Sequence, residues 1–208
     1  MNARFITLDG IDGAGKSTHL ATIRRWFAQR QLPVVFTREP GGTPVGEALR
    51  DILLNPATQA NLRTETLLMF AARQQHIDSV IRPALAAGTH VVSDRFTDAT
   101  FAYQGGGRSL PLQDIEILAQ WVQQGLEPDL TLLLDVPLEV SLARIRAHRA
   151  QDRFEQEDAD FFTRTRAVYQ QRAAACPERY AVIDGNRDLA AVSADVEAAL
   201  ARLFGAQA

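Results

Sequence analysis

The chain contains 208 residues, of which 46% are hydrophobic and 23% are charged, and these values are typical of one globular domain with a buried core. Its formal net charge is −3, so the composition indicates neither nucleic-acid binding nor a polybasic membrane patch. Cys176 is the only cysteine, which excludes a disulfide framework and favours a reducing compartment. The sequence has no signal-like leader and no apolar run long enough to span a bilayer, so we expect a cytoplasmic protein.

Five short apolar segments, each rich in branched or large side chains, predict β-strands that are buried on both faces. Longer amphipathic segments lie between them and predict helices, with Pro111 and Pro137 at helix starts and Gly88 and Gly125 at helix ends. The predicted strands are 5–8, 34–37, 90–93, 130–134 and 180–183. The predicted helices are 17–30, 44–54, 64–87, 111–124, 137–150, 158–175 and 189–203.

This alternation predicts an α/β fold in which helices cover both sides of a parallel, five-stranded sheet. The sequence contains no internal repeat and no linker, so we expect a single domain over residues 1–208. Three glycine-bearing segments, 10–15, 41–42 and 105–107, are predicted to form loops at the carboxyl ends of strands, where open α/β sheets bind ligands.

The first of these segments carries a complete phosphate-binding motif. Residues 10–17, Gly-Ile-Asp-Gly-Ala-Gly-Lys-Ser, match G-x-x-x-x-G-K-[ST] between a predicted strand and a predicted helix, which is the context that the pattern requires. Glycines allow backbone amides to surround phosphate oxygens, and the helix N-terminus adds a favourable dipole. Lys16 is the only lysine among 22 cationic residues, and a compact ammonium suits the β and γ phosphates better than a planar guanidinium.

The motif therefore predicts a P-loop NTPase fold, with three α/β/α layers, that binds ATP with Mg²⁺. We expect the hydroxyl of Ser17 to ligate the magnesium ion. A GTPase would read guanine with Asn-Lys-x-Asp, which a chain whose only lysine is Lys16 cannot contain. The chain length and the single sheet favour a nucleoside or nucleotide kinase. The predicted ATP-binding residues are Gly10, Ile11, Asp12, Gly13, Ala14, Gly15, Lys16, Ser17 and Thr18.

Polar residues after the second and third strands are candidates for the rest of such a site. Asp94 and Arg95 follow the third strand, where a carboxylate can hold the water ligands of magnesium and an arginine can clamp a phosphate. Arg38 lies in an irregular turn, Thr-Arg-Glu-Pro-Gly-Gly-Thr, at 37–43. Phosphates repel the carboxylate of Asp12, so we expect it to engage a sugar hydroxyl, a metal-bound water or an arginine.

Two further groups of residues suit a kinase site. Phe70 and Arg73 lie three residues apart on one helix face and offer a stacking ring and a donor to a base. An arginine-rich stretch followed by the polar run 152–157 predicts a flap, or LID, at about 144–157, whose arginines neutralise charge during phosphoryl transfer. The arginines of this stretch are Arg144, Arg146, Arg149 and Arg153.

Taken together, these motifs resemble the thymidylate kinase family, and specifically its bacterial branch. The resemblance covers essentially the whole chain, in the order and spacing of the family. It is carried by Thr-Arg-Glu-Pro-Gly-Gly-Thr at 37–43, Leu-Met-Phe-Ala-Ala-Arg at 68–73, Asp-Arg-Phe at 94–96, Ala-Tyr-Gln-Gly-Gly-Gly-Arg at 102–108 and Asp-Arg-Phe-Glu at 152–155. It implies magnesium-dependent transfer of the ATP γ-phosphate to dTMP, and a homodimer to which the predicted helix 64–87 contributes.

The resemblance also implies roles for individual residues. The residues implied in the reaction itself are Lys16, Arg153, Arg149, Asp12 and Arg95. On the acceptor, Arg38 and Arg95 would bind the phosphate, Asp12 would face the 3′-hydroxyl, and Tyr103 would lie under the deoxyribose and disfavour a 2′-hydroxyl. At the base, Phe70 would stack, while Arg73, Thr100 and Gln104 would form hydrogen bonds. Ser17 and Asp94 would serve the magnesium ion.

The sequence departs from the family pattern at the position of the stacking ring. In many family members the stacking phenylalanine precedes the base-reading arginine by four positions, where this chain has Met69.

The sequence leaves two other functions open. A kinase for another nucleotide or a deoxynucleoside would share the fold but change the base-contacting residues. A non-catalytic regulator that binds ATP would need neither the acceptor residues nor the flap arginines.

The predicted reaction requires no general base, because the second pKa of a nucleotide phosphate is near 6 and the acceptor is mostly dianionic at neutral pH. The histidines are scattered along the chain, and we predict structural or solvated roles for His19, His76, His90 and His148.

Overall fold

The computed structural model describes residues 2–147, 153–154 and 157–205. Five parallel strands form one sheet in the order β2-β3-β1-β4-β5. The strands are β1 (Phe5–Asp9), β2 (Val34–Arg38), β3 (His90–Asp94), β4 (Leu130–Asp135) and β5 (Tyr180–Asp184). The predicted five-stranded α/β fold is therefore confirmed.

Every strand extends one residue beyond its prediction, and the added residue is always charged. The hydrophobic pattern ends where the side chains leave the core, but backbone pairing continues, as between Leu8 and Asp94 or between Asp9 and Leu133. The carboxyl edge of the sheet therefore collects charged side chains. They are Asp9, Arg38, Asp94, Asp135 and Asp184.

Helices connect the strands at the predicted places, with most ends shifted by one residue. Side-chain caps begin several of them: Thr43 Oγ1 accepts from Gly46 N over 2.9 Å, and Asp158 Oδ1 accepts from Phe161 N over 2.7 Å. The longer helices are α1 (Lys16–Gln29), α2 (Pro44–Leu54), α3 (Leu62–His76), α6 (Leu112–Gln123), α7 (Leu138–Arg146), α8 (Ala159–Ala175) and α9 (Leu189–Phe204). The short helices are α4 (Arg82–Ala86) and α5 (Thr97–Thr100).

The predicted helix 64–87 is interrupted by a π-helical turn. After α3, Ile77–Ile81 adopts π-helical hydrogen bonding, and α4 then continues to Ala86. Pro83 explains the change, because proline lacks an N–H and its ring crowds the carbonyl four residues earlier, which belongs to Ser79 inside the wide turn.

The prediction of a loop at 105–107 is wrong. Phe101–Gly107 forms a second π-helical segment that continues from α5. The glycines serve close packing against α8: a Cβ on Gly106 would lie 2.7 Å from Arg164 O, and one on Gly107 would lie 2.4 Å from Phe161 Cε2. Helix α8 therefore approaches a backbone that any larger side chain would push away.

The core lies on both faces of the sheet, as the three-layer prediction requires. The alternation along β1 directs Ile6 and Leu8 into one hydrophobic cluster, and Phe5 into the other. Both clusters are buried, so β1 is fixed at the centre of the domain and presents its carboxyl end at the middle of the sheet edge. No helix among the described residues has the length and apolar character needed to cross a membrane.

Candidate active site

The phosphate-binding loop between β1 and α1 has a shape that only glycine permits at two positions. Gly10 and Gly13 have φ values of +140° and +75°. A Cβ on either residue would lie 2.5 Å from a backbone oxygen, that of Leu134 or Ser141 respectively. Ser141 Oγ also donates to the carbonyl oxygen of Asp12 over 2.7 Å. Neighbouring backbone and α7 therefore hold the loop closely in place.

Lys16 points into the concave side of this loop. Its Nζ donates to the carbonyl oxygens of Gly10 and Ile11 over 2.9 and 3.2 Å, and lies 3.8 Å from Asp12 Oδ1. Burial and the nearby Arg95 lower the pKa of Lys16, against the attraction of neighbouring carboxylates. The ammonium group is thus held where an oxyanion entering the loop would meet it.

A cleft of about 1330 Å³, partly open to solvent, lies beside the loop, and we call it the donor cleft. Arg144 on α7 forms one wall, donating to the carbonyl oxygens of Gly13 over 3.1 Å and Gly185 over 3.3 Å. Most of the predicted ATP-binding residues line this cleft, namely Asp12, Gly13, Ala14, Gly15, Lys16, Ser17 and Thr18. Gly10 and Ile11 instead accept hydrogen bonds from Lys16.

Two residues of the donor cleft fit a magnesium ion. Asp94 Oδ1 is buried and has no hydrogen-bond partner among the described residues, and the hydroxyl-bearing Ser17 is exposed in the same cleft. An unpartnered carboxylate oxygen suits a hard cation that prefers oxygen ligands. The described residues contain no group of three or more His, Cys, Asp or Glu side chains that could hold a metal. Phosphate and water oxygens would complete the coordination, as is usual for magnesium.

A second cavity, of about 560 Å³ and partly open to solvent, lies next to the donor cleft, and we call it the acceptor pocket. Asp12, Arg50 and Arg95 line both spaces, so the two sites meet at these side chains. The other residues that line the acceptor pocket are Glu39, Pro40, Leu54, Met69, Arg73, Phe96, Ala99, Thr100, Tyr103, Gln104 and Phe154.

Asp12 lies at this junction in a network with Arg95 and Tyr103. Its carboxylate pairs with Arg95 Nη2 and accepts from Tyr103 OH over 2.8 Å, while Arg95 Nη2 donates to Tyr103 OH over 2.7 Å. Burial alone would raise the pKa of Asp12, but Arg95 and Lys16 outweigh it and lower the value to about 2. The partner of Asp12 is therefore an arginine. This is one of the three partners that the sequence predicts, the others being a sugar hydroxyl and a metal-bound water.

Arg73 reaches the acceptor pocket from α3 with one donor unpaired. Its Nε donates to Glu39 Oε2 over 2.7 Å, and its Nη2 donates to Thr100 Oγ1 over 3.0 Å and to Phe96 O over 3.3 Å. Nη1 is buried and has no hydrogen-bond partner among the described residues. A carbonyl oxygen of a bound molecule would satisfy this donor.

Glu39 contacts Arg73 with one carboxylate oxygen and a buried histidine with the other. Its Oε1 lies 2.8 Å from His76 Nδ1, while His76 Nε2 lies 2.7 Å from Thr37 Oγ1. These side chains come from the end of β2, from the turn that follows it and from α3. His76 thus has a structural role, one of the two that the sequence predicts, and it links β2 and the following turn to α3.

Met69, and not Phe70, lies on the wall of the acceptor pocket. The ring of Phe70 is buried in the second hydrophobic cluster, with the guanidinium carbon of Arg73 4.7 Å from its centroid. Successive residues on a helix point about 100° apart, so Met69 and Arg73, four residues apart, share the pocket face. Phe96, which the sequence does not single out, provides an aromatic ring on the wall.

The resemblance implies that Gln104 and Thr100 contact the base, and the structure brings them to the same cavity. Both line the acceptor pocket and are buried. Gln104 Nε2 donates to Glu65 Oε1 over 2.9 Å, so its amide nitrogen is turned to the protein interior. Glu65 is fully buried in the first turns of α3.

Two of the predicted arginines, Arg38 and Arg153, are not brought to the junction of the two sites. Arg38 is exposed, lines neither cavity and pairs with Glu47 across 2.7 Å. Arg153 pairs with Glu65 of α3, whose other carboxylate oxygen accepts from Gln104. Arg149 lies outside the described residues, as does half of the predicted flap.

Several other residues of the site were not predicted from the sequence. Arg50 on α2 lines both spaces and donates to Pro40 O over 2.9 Å. Glu39 and Glu65 are buried carboxylates. They lie in polar sequence contexts, so the hydrophobic pattern gives no sign that these side chains are buried. Glu39 does lie inside the 37–43 string, and that string is the one signal that could have indicated it.

Comparison with known proteins agrees with this geometry. A sequence model described as thymidylate kinase matches residues 8–196. The thymidylate kinase of Neisseria meningitidis serogroup B is 72% identical over 205 residues, covering 99% of this chain and 100% of that protein. The thymidylate kinase of Chromobacterium violaceum is 59% identical over 201 residues, covering 97% and 95%.

A solved structure supports the same assignment. The crystal structure of thymidylate kinase from Ehrlichia chaffeensis superposes with a TM-score of 0.79 at 31% identity, covering 96% of this chain and 99% of that one. The sequence matches and the shared fold extend over nearly the whole length, including the phosphate-binding loop and the acceptor pocket. The chain therefore belongs to the thymidylate kinase family.

Proposed function

We propose that this protein transfers the γ-phosphate of ATP to dTMP in a magnesium-dependent reaction that produces dTDP and ADP. The chain acts as one kinase domain over residues 1–208, with a flap at about 144–157. Family membership supports the activity, and the relatives at 72% and 59% identity are named thymidylate kinase. Within the structure, the meeting of the donor cleft and the acceptor pocket at Asp12, Arg50 and Arg95 carries the proposal.

The hydrogen-bonding groups of the acceptor pocket support thymine as the base. Arg73 Nη1 is a buried donor without a protein partner, and Gln104, with Nε2 turned to Glu65, presents its amide oxygen as an acceptor. Thymine offers a C4 carbonyl and an N3–H, which complement one donor and one acceptor side by side. Cytosine offers the opposite pair, an amino group and an unprotonated N3. A mismatched base would therefore leave buried polar groups unpaired.

Catalysis rests on positioning and on charge neutralisation, because a phosphate acceptor needs no general base. Lys16 meets the phosphates of the donor, and Arg95 lies at the junction where the two phosphates approach. Ser17 and Asp94 would hold magnesium, which when bound neutralises charge on the phosphate oxygens. Arg149 and Arg153 of the flap are proposed to add positive charge during transfer.

An ADP-release assay tests this function directly. Purified protein with ATP and Mg²⁺ is offered dTMP, dUMP, dCMP, dGMP, dAMP and thymidine separately. We expect strong turnover with dTMP and weak turnover with dCMP, the purine nucleotides and the nucleoside. ATP binding without dTMP-dependent turnover would contradict the proposal and favour another acceptor or a regulatory ATP-binding role.

We further propose that the protein is a homodimer formed through α3 and α6. Exposed apolar side chains concentrate on this face: Leu67 on α3 is 55% exposed, and Ile117 and Trp121 on α6 are 58% and 74% exposed. A groove between the same helices includes Leu67 and Ile117. Exposed apolar side chains grouped on one face often mark a protein–protein interface, and a second copy of the chain would cover this face symmetrically. Size-exclusion chromatography with light scattering should give a dimer mass, and Trp121→Lys should shift it to the monomer.

A further inference from the structure

Glu65 is a buried carboxylate that lies behind the base-reading end of the acceptor pocket. It is on α3, is fully buried, and does not line the pocket itself. Its two oxygens contact three side chains from other parts of the chain. Oε1 accepts from Gln104 Nε2 over 2.9 Å and lies 3.4 Å from Arg108 Nε, while Oε2 pairs with Arg153.

The two arginines allow this charge to be buried. An isolated carboxylate in the interior is costly unless it is paired and hydrogen-bonded. Arg108 is in turn shared with Glu157, whose Oε1 accepts from Arg108 Nη2 over 2.6 Å. The ion pairs thus explain how Glu65 remains in the interior, but they do not explain its contact with Gln104.

The contact with Gln104 determines which way its amide faces. An amide group can present either its oxygen or its NH₂, and the two orientations have nearly the same shape. A carboxylate only accepts hydrogen bonds, so Glu65 requires the nitrogen of Gln104 on its own side. The amide oxygen is then the group that remains for the pocket. A neutral side chain in place of Glu65 would remove this requirement.

We propose that Glu65 is a specificity-determining positioning residue, which makes Gln104 a hydrogen-bond acceptor and thereby selects bases that carry a ring N–H. This inference rests on the proposed acceptor function and goes beyond it, since Glu65 contacts Gln104 and not the acceptor. Thymine and uracil carry the N–H at position 3, whereas cytosine does not. Glu65 therefore contributes to the rejection of dCMP, and it makes no contribution to the choice between dTMP and dUMP.

The test measures kcat/KM for dTMP, dUMP and dCMP in Glu65→Gln, which keeps the size of the side chain but can donate as well as accept. We expect the preference for dTMP over dCMP to fall by about tenfold, comparable to one mispaired buried hydrogen bond. The ratio of dTMP to dUMP and the KM for ATP should change by less than about twofold. Glu157→Gln is the matched control, because it removes a carboxylate from Arg108 without contact to Gln104, and it should leave the ratios unchanged.

A double-mutant cycle separates this role from a merely structural one. In a Gln104→Leu background, Glu65→Gln should no longer change the dTMP to dCMP ratio, because the amide through which Glu65 acts is absent. If Glu65→Gln does not fold, Glu65→Asp keeps the charge, withdraws it from Gln104, and should lower the same ratio. Turnover of dTMP by the unaltered protein tests the proposed function separately. With that turnover present, an unchanged ratio in the folded Glu65 variant, or an undiminished effect without Gln104, would overturn the inference.

Discussion

Replacement of Asp9 by asparagine should stabilise the protein at alkaline pH. Asp9 ends β1 and is fully buried; Tyr169 OH donates to its Oδ1 over 3.0 Å, and its Oδ2 has no hydrogen-bond partner among the described residues. Burial and the nearby Asp98 raise its pKa from 3.8 to about 7, despite the attraction of Arg95 and Lys16. Asparagine has the shape of the protonated carboxyl group and can still accept from Tyr169.

The sign and size of the effect follow from the raised pKa. Below pH 3.8 both the folded and unfolded states bind the proton, so Asp9 adds no pH dependence there. Between pH 3.8 and 7 the unfolded chain releases the proton while the folded protein keeps it, so stability falls as pH rises. A rise in the pKa of Asp9 from 3.8 to about 7 corresponds to about 4 kcal/mol of stability at pH 8. Asp9→Asn should therefore match the wild type near pH 4 and exceed its free energy of unfolding by up to this amount at pH 8.

Urea unfolding from pH 4 to pH 8, with unchanged m-values, measures this difference. Asp12→Asn is the control, because the pKa of Asp12 changes in the opposite direction although the residue is only three positions away. The pKa of Asp12 is lowered to about 2, so its stabilisation is present above pH 3.8 and is lost as pH falls through 2. That variant should be less stable than wild type at pH 8, by about 2.5 kcal/mol. A pH-independent difference for Asp9→Asn, or a loss of stability at pH 8, would mean that Asp9 is ionised in the folded protein from pH 4 to pH 8.

Three further substitutions probe the site by steady-state kinetics. Asp12→Ala should raise the KM for dTMP by about tenfold with little change for ATP, since it frees Arg95 and Tyr103 at the junction; an unchanged acceptor KM would contradict a role at the 3′-hydroxyl. Glu39→Gln should also raise the KM for dTMP, more than it lowers kcat, because Arg73 loses its ion pair; an equal loss for ATP would indicate general misfolding. Arg153→Ala should lower kcat by at least about 100-fold while changing either KM less. A defect confined to KM would assign Arg153 to binding alone.

Local patterns in the sequence were sufficient for the fold and for the donor side of the site. Each strand and almost every long helix has a short-range signal, whether an apolar run, a cap such as Thr43 or Asp158, or a terminal glycine. The phosphate-binding loop is contiguous in sequence, so its motif and its structure coincide. The helical segment 97–107 was not predicted, because its glycines are required by the approach of α8 and not by local backbone geometry.

The acceptor side was only partly predictable, because its geometry depends on which helix face meets the pocket. The sequence indicated Arg73, Thr100, Tyr103 and Gln104, all of which line the acceptor pocket. The sequence could not decide whether Phe70 or Met69 faces the acceptor pocket. Rotating the helix by one residue would move one side chain from the pocket to the core and the other from the core to the pocket. Phe70 as the stacking ring thus remains a prediction that the position of its side chain does not favour.

What the sequence alone determined is the list of chemical groups: one lysine in a glycine loop, carboxylates and arginines after the strands, and a polar pair for a base. The pairing of those groups depends on the tertiary structure. Asp9 and Asp12 are three residues apart in the same segment, yet burial beside Asp98 raises the pKa of one and contact with Arg95 lowers that of the other. Glu65 and Gln104 are 39 residues apart and become partners only when α3 packs beside the second π-helical segment. Charge and hydrogen bonding depend on distances through space, which spacing along the chain does not specify.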